Sequence, residues 1–496
     1  MNQNRKTGTH TLALVISRVL SLCLSMLVAM VLSRTLRLEE YGTYSELMTV
    51  SGIGVSLFSL GLPNALNYFL PGYTTEAEKR SFIGFYFSVM TVLALLLAAV
   101  MALAGNGIAA YYGNARLTAY SYILMLLPWT KMMLASRSNL LIAEGRIMRE
   151  IAYSGANSFL LALIALLTLW TPVHFDRYLA LYAAVECIFA VLVYAEAFFM
   201  SGRTAAAPVR WSDIRALFAY SIPMGLSAAV SAFSLDLDRL VIGFLSNEAA
   251  VAIYANAGRE LPFSLIPTAF TAVCFPQMAV MIRAHRYRAA VTRWKQIMVI
   301  NYFILAFCTS ASVVFAPQII GLLYSDAYLG GVTVFRIYAL TLLLRITYWG
   351  MLLNAFGRTK EILYNSALCL AVNASLSVLF YHVIGFSGPA LATLISIAAI
   401  AGLQLLRTSK LLGMPVRSLI PLRRLILPTS VCMLSGFAAW GVMRLLHAGT
   451  DSRGILLAVV IGLLWGGFYL CIFGKTLFAE WKRLNEEMEE DEESVP

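Results

Sequence analysis

The stretch Ser231 to Leu245, SAFSLDLDRLVIGFL, places Asp236, Asp238 and Arg239 side by side inside one of the most apolar parts of the chain. Asp236 and Arg239, three apart, can pair on one face of a helix, whereas Asp238 points elsewhere and needs another partner, such as a base on a neighbouring helix. Other apolar runs are interrupted by the bases Arg18, Lys131, Arg137, Arg259, Arg336 and Arg345, and by the acids Glu46, Glu186, Glu196 and Glu260. A charge at the centre of a bilayer costs about 2.5 to 3.5 kcal/mol, so such residues usually face the protein interior or water. Bases held there can replace the hydration of an anion, and carboxylates there can serve ion or proton coupling.

That reasoning requires the segments to lie in a membrane, and the composition says that they do. Of 496 residues, 60% are apolar and only 13% charged, with a mean hydropathy of +0.76, far from the roughly one-quarter charged content of soluble domains. Fourteen apolar runs are near the length of about 20 residues that crosses the hydrocarbon, the first at about 11 to 33 and the last at about 454 to 474. They lack the short alternation of barrel strands, so the backbone must satisfy itself as helix. The fold class is therefore an all-α polytopic membrane protein.

Most of the 37 Lys and Arg fall on the side that holds both termini, against Arg34, Arg37, Arg116, Arg177, Arg444 and Arg453 on the other. The positive-inside rule then predicts cytoplasmic N- and C-termini. The net charge of +11 reads as this asymmetry plus attraction to anionic head groups, not as a nucleic-acid footprint. The first span is too long for a signal-peptide core and lacks a small-residue cleavage site, so it is expected to stay attached. The seven cysteines all fall in expected spans without CxxC spacing, and the five histidines are scattered near span ends. No metal site, cofactor or catalytic centre is expected, and with no Gly-rich nucleotide loop ATP is not a direct energy source.

The Pro-containing link SGRTAAAPVRWSDIR, Ser201 to Arg215, is the natural boundary between halves. The halves are weakly self-similar. RTLRLEEYGTY (Arg34 to Tyr44) follows span one and GFLSNEAAVAIY (Gly243 to Tyr254) follows span seven, each leading into a proline-interrupted span, with Pro63 and Pro71 in one half and Pro262, Pro267 and Pro276 in the other. Such a repeat places a site between two lobes. The expected organisation is an N-terminal lobe at 1–200 with spans one to six, a cytoplasmic linker at 201–214, a C-terminal lobe at 215–410 with spans seven to twelve, accessory spans thirteen and fourteen at 411–474, and a cytoplasmic tail at 475–496. Seven acids in the eight residues Glu486 to Glu493 make that tail a solvated, disordered end.

Several phrases resemble the Wzx-type polysaccharide-biosynthesis flippases of the multidrug/oligosaccharidyl-lipid/polysaccharide exporter superfamily. LSRTLRLEEYGTYS after span one is similar to the family's arginine, leucine, acid and Tyr-Gly pattern. YSIPMGLSAAVSAFSLDLDRLVIGFLSNEAAVAIY is similar to its seventh span, and GLLYSDAYLGGVTVFRIYAL followed by AFGRTKE to its ninth loop and tenth span. The similarity covers Arg5 to Phe473 and leaves out the acidic tail. It implies two six-helix lobes around a central cavity that opens alternately to each side, plus two C-terminal helices. The implied cargo is an undecaprenyl-pyrophosphate-linked oligosaccharide, carried from the cytoplasmic to the outer leaflet of the inner membrane. Implied partners are membrane lipids, polysaccharide polymerase and chain-length machinery.

Against that expectation, Arg18, Lys131, Arg259 and Arg345 are candidates for pyrophosphate contact or cavity electrostatics. The alternative for Arg18 and Arg345 is a structural hydrogen bond to another helix's carbonyls, and for Lys131 an interhelical pair. Arg137, nearer the cytoplasm, can snorkel to head groups. Arg336 reads as an interfacial anchor and Glu46 as a cap or an exposed charge. Asp236, Asp238 and Arg239, in the outer half of their span, read either as a gating latch or as a static pair. Two other functions fit the composition: a multidrug or cation exporter of the same superfamily, which would prefer an acid-rich or aromatic cavity, and a membrane-embedded polymerase, which would need a longer external loop.

Overall fold

A computed structural model describes the backbone of residues 2–73, 75–170, 174–201, 211–259 and 261–493. Most of the expected interlobe linker (201–214) lies outside the described residues, as does Glu260. Every regular element among the described residues is helical. In chain order they are α1 (Asn2–Thr35), α2 (Leu38–Phe58), α3 (Leu62–Phe69), α4 (Glu76–Tyr112), α5 (Arg116–Ala119), α6 (Ser121–Ala143), α7 (Ile147–Trp170), α8 (Phe175–Ser201), α9 (Trp211–Leu245) and α10 (Glu248–Ala257). They continue as α11 (Leu265–Arg283), α12 (Tyr287–Val314), α13 (Ala316–Leu323), α14 (Val332–Leu344), α15 (Met351–Ala355), α16 (Thr359–Ile384), α17 (Gly388–Leu412), α18 (Val416–Leu419), α19 (Leu422–Leu445) and α20 (Ser452–Glu493).

Eleven helical segments, one of them α14 with the 3-10 turn Asp326–Gly331 before it, are long and apolar enough to cross a bilayer, and the pair α2–α3, bent by 44°, makes up to twelve. Two further expected spans coincide with α6 and with α10 plus α11 but are not among those twelve. The chain is thus a multi-pass helical membrane protein. Contacts gather it into two compact units, Met1–Ala255 and Asn256–Pro496.

Local chemistry sets the helix limits. The side chain of Thr75 accepts from the backbone N–H of Glu78 at 3.3 Å while the Glu78 carboxylate accepts from the N–H of Thr75 at 3.4 Å, a reciprocal cap that starts α4. Gly113, at φ +63°, ends it, and the chain turns back at Asn114. The proline-interrupted spans are broken helices in both halves. Leu60 and Gly61 adopt positive φ between α2 and α3, with Pro63 in the first turn of α3. Between α10 and α11 lies the short 3-10 turn Pro262–Ser264.

In the second unit α12 is the most buried of the candidate spans, and Trp294, two turns into it, is fully buried. The segment after α14 leaves the helix at Arg345. Its polar groups are met from α12: Trp294 Nε1 donates to Thr347 Oγ1 at 2.9 Å and Asn301 Nδ2 to the carbonyl of Ile346 at 2.8 Å. Irregular backbone at membrane depth is tolerated only where protein satisfies it in this way. At the other end of this unit α20 continues as helix to Glu493, where a disordered tail was expected. Its good helix formers and the Lys482–Glu486 pair at 3.4 Å support the first part of that extension.

Candidate functional site

The charges of the first unit are positioned by α6, α8 and α9. Pro128 interrupts the hydrogen-bond ladder of α6, and Lys131 follows it, half-buried, within electrostatic reach of Glu186 on α8 and Asp236 on α9. Glu186 is buried and held by neutral donors, with Thr130 Oγ1 and Asn157 Nδ2 each 3.4 Å from its carboxylate.

Asp236 pairs with Arg239, Nη1 to Oδ1 2.7 Å, as the three-residue spacing implies. Both lie on α9, so this pair alone joins nothing across helices; the link from Asp236 to another helix is Lys131. Asp238 points away from the pair, buried, and accepts from the Tyr254 hydroxyl of α10 at 3.2 Å.

The end of the unit that holds the α1–α2 and α9–α10 turns, outer in the expected orientation, is closed by unusually near backbone contacts. A Cβ on Gly42 of α2 would stand 1.8 Å from the carbonyl oxygen of Glu248; at the other end of α2, one on Gly225 of α9 would stand 2.2 Å from the carbonyl carbon of Leu60. The two repeated phrases therefore meet: LEEYGTY opens α2 and NEAAVAIY opens α10. Tyr111 and Tyr112 at the end of α4 close the same wall. The Tyr111 hydroxyl donates to the carbonyl of Leu240 at 3.2 Å, and the Tyr112 ring occupies the space a side chain would need at Gly243.

Glu46 lies in this wall and is fully buried, neither a cap nor an exposed charge. The reversal at Gly113 folds Asn114 over it, and Asn114 Nδ2 donates to Glu46 Oε2 at 2.8 Å and to Thr43 Oγ1 at 2.9 Å. The signal was present in YYGNAR, a glycine stop followed by an amide, but not its partner.

At the opposite end Arg137 does not snorkel. It is 3% exposed, pairs with Glu150 across the α6–α7 turn at 3.4 Å, and lies 4.4 Å over the Tyr153 ring. Nearby, Lys79, Arg80, Arg146 and Arg149 line a pocket of about 560 Å³ together with Glu76, Glu144 and Glu196. Arg149 and Glu196 approach to 3.8 Å. Arg18 is exposed. Thr35 and Thr168 are hydrogen-bonded at 3.2 Å between α1 and α7, and Glu150 is within electrostatic reach of Arg18. Arg18 therefore sits level with the first turns of α7, near the end that is inner in the expected orientation and not at mid-span.

In the second unit Arg259 and Arg345 are half-buried, each where a helix is broken: Arg259 after α10, Arg345 after α14. Arg336 is half-buried too, its Nε donating to the carbonyl of Val313 at 3.1 Å, a helix-to-helix contact in place of the expected anchor.

A family described as polysaccharide biosynthesis protein matches residues 31–333. No curated protein matches the chain in sequence. Among solved structures, the chain is similar to the lipid II flippase MurJ in an inward closed conformation, at 15% identity and a TM-score of 0.72, covering 94% of this chain and 99% of that one. It is similar to an inward-facing multidrug resistance MATE family transporter of the MOP superfamily, at 13% identity and a TM-score of 0.63, over 79% and 94% of the two chains. The bent form of the Vibrio cholerae MATE transporter VcmN matches at 19% identity and 0.53, over 82% and 97%. At these identities the likeness is one of fold.

Proposed function

We propose, for a chain that belongs to the polysaccharide biosynthesis protein family and has the fold of MOP-superfamily transporters, that it moves undecaprenyl-pyrophosphate-linked oligosaccharides from the cytoplasmic to the outer leaflet of the inner membrane by alternating access. The observation that carries this reading is where the interior bases lie. Lys131 follows Pro128 within α6, Arg259 the end of α10, and Arg345 the end of α14. A kink or break frees backbone groups and makes room for a ligand, and a guanidinium or ammonium there offers charge-assisted hydrogen bonds to a pyrophosphate leaving water.

Three interior acids near Lys131 and Arg239 support an anionic over a cationic cargo, because they are already engaged: Glu186 by Thr130 and Asn157, Asp236 by Arg239, Asp238 by Tyr254. Arg18, near the inner interface, is suited to meeting a pyrophosphate head group as it leaves the inner leaflet. Asp236, Asp238 and Arg239 act in gating: Asp238 with Tyr254 joins α9 to α10, and Lys131 couples Asp236 to α6. The two lobes expected from the sequence, the cytoplasmic termini, and cooperation with polymerase and chain-length machinery belong to the same proposal.

The test is accumulation of lipid-linked oligosaccharide on the cytoplasmic side in cells carrying Lys131→Met, Arg259→Gln or Arg345→Gln at normal protein levels. Unchanged export in all three would refute an anion-binding interior.

A further inference from the structure

We propose that Glu46 is a proton-binding site that links closure of the outer wall to the pH outside. The inference rests on the alternating-access reading above. Glu46 is 0% exposed. Its Oε2 accepts from Asn114, but Oε1 is buried without a hydrogen-bond partner, and among the described residues no base forms an ion pair with it. An ionised carboxylate in that setting costs several kcal/mol, because one neutral donor does not replace its water.

The charges around it sharpen this. On α10, Glu248 brings a second acid within electrostatic reach. On α4, the buried Tyr112 hydroxyl also has no partner and lies within electrostatic reach of Glu46, a neutral group that does not offset its charge. The other elements packed on α2 bring no compensating cation. On α9, Arg239 is already bound to Asp236, and Asp238 adds a further acid. Lys131 of α6 acts on Glu186 and Asp236. Arg34 of α1 and Arg116 of α5 are exposed, and α8 contributes the phenols Tyr178 and Tyr182.

A proton fits the site better than a metal ion. Asn114 presents a donor to Glu46, and among the described residues no group of three His, Cys, Asp or Glu is placed to hold a metal. The closed wall is then the state with one proton more. When α9 and α10 move off α2, Glu46 meets external water and ionises; before the wall can close again it must take a proton back from that water. The sign follows from linkage: acid outside favours closure, and closure is lost as the pH rises, by up to tenfold per pH unit.

The experiment uses the full-length protein in sealed cells, with Ala252→Cys as reporter. Ala252 is fully buried, one turn beyond Glu248. Its reaction with a charged, membrane-impermeant thiol reagent is divided by that of His174→Cys, an exposed reference, which removes the reagent's own pH dependence. Between external pH 5.5 and 7.5 the ratio is expected to rise at least fivefold. Glu46→Gln should hold it low and flat, Glu46→Asp should keep the rise, and replacing sodium with potassium should change nothing. A rise that survives in Glu46→Gln, a flat ratio in the unsubstituted background, or a sodium-dependent ratio would each overturn the proposal. Absence of reaction at any pH would instead refute outer opening itself, and with it the alternating-access reading.

Discussion

Gly42 offers a direct measure of how tightly the outer wall must close. In Gly42→Ala the new Cβ would stand 1.8 Å from the carbonyl oxygen of Glu248. Ordinary contact begins near 3.4 Å, so α2 and the start of α10 must part by about 1.6 Å, and the obstacle is backbone that no rotamer can clear. If the motion pivots at the Leu60–Gly61 break, the lever is about 28 Å at 1.5 Å per residue, and a tilt of about 3° relieves the clash. Overpacking of this kind costs about 1 to 3 kcal/mol. Because the clash exists only when the wall is closed, the closed-to-open ratio should fall about 5- to 150-fold.

The same helix supplies its own controls. A Cβ at Gly52 meets nothing within 4 Å, and one at Gly54 meets first the flexible end of Met101 at 2.6 Å. All three substitutions gain about 1 kcal/mol of helix propensity. Thiol reactivity at Ala252→Cys, measured as above, should therefore increase strongly with Gly42→Ala, slightly with Gly54→Ala and not at all with Gly52→Ala. Equal reactivity in the Gly42 and Gly52 variants would refute the argument that this contact is the closed wall.

Arg137→Met should lower the thermal stability of the purified protein by about 3 to 5 kcal/mol by leaving Glu150 buried and unpaired, whereas the double change Arg137→Met with Glu150→Leu should recover most of it; a double variant as unstable as the single would refute the pairing account. Lys131→Met should cut lipid-linked oligosaccharide export about 10- to 100-fold, the scale of one lost charge-assisted hydrogen bond, with unchanged melting temperature distinguishing cargo contact from packing. Tyr254→Phe removes a donor to the buried Asp238 and should lower the stability of the purified protein by about 1 to 3 kcal/mol, read as a lower melting temperature; an unchanged melting temperature would refute a role for this bond in holding α10 to α9.

The charged positions were legible in the sequence to the extent that their partners were local. Asp236 and Arg239 pair because three residues of helix bring them together, and that spacing is visible in LDLDR. The breaks in both repeated spans were likewise visible, since proline and glycine act on their own backbone. Partners supplied by another helix were not. Arg137 lies within snorkelling distance by count alone, but the tight α6–α7 turn returns Glu150 to it. Glu46 sits at the start of a span where exposure is the ordinary outcome, until Asn114 of a distant segment covers it. Arg18 is near the middle of an apolar run, yet the register of α1 against α7 shifts it toward one interface. Gly42, Gly61 and Gly225 give no sign in sequence of the backbones that approach them.

A wall that opens in every cycle must not be held by more than its ligands can supply. Moving a two-state equilibrium from 1:99 to 99:1 takes about 5.5 kcal/mol of differential binding. The contacts across the outer wall suit that scale. The Asp236–Arg239 pair stays within α9, its side chains 20% and 31% exposed, so it contributes about 0 to 1 kcal/mol and need not break. The Tyr254–Asp238 hydrogen bond joins α9 to α10, which move together, so it need not break either, and the glycine contact between α2 and α10 brings steric fit without strong attraction. A buried ion pair of the same unit, Arg137 with Glu150, joins α6 to α7 away from the α2–α9–α10 wall. Strong electrostatics hold the part that stays together, and weak, close-fitting contacts with one protonatable carboxyl hold the part that separates.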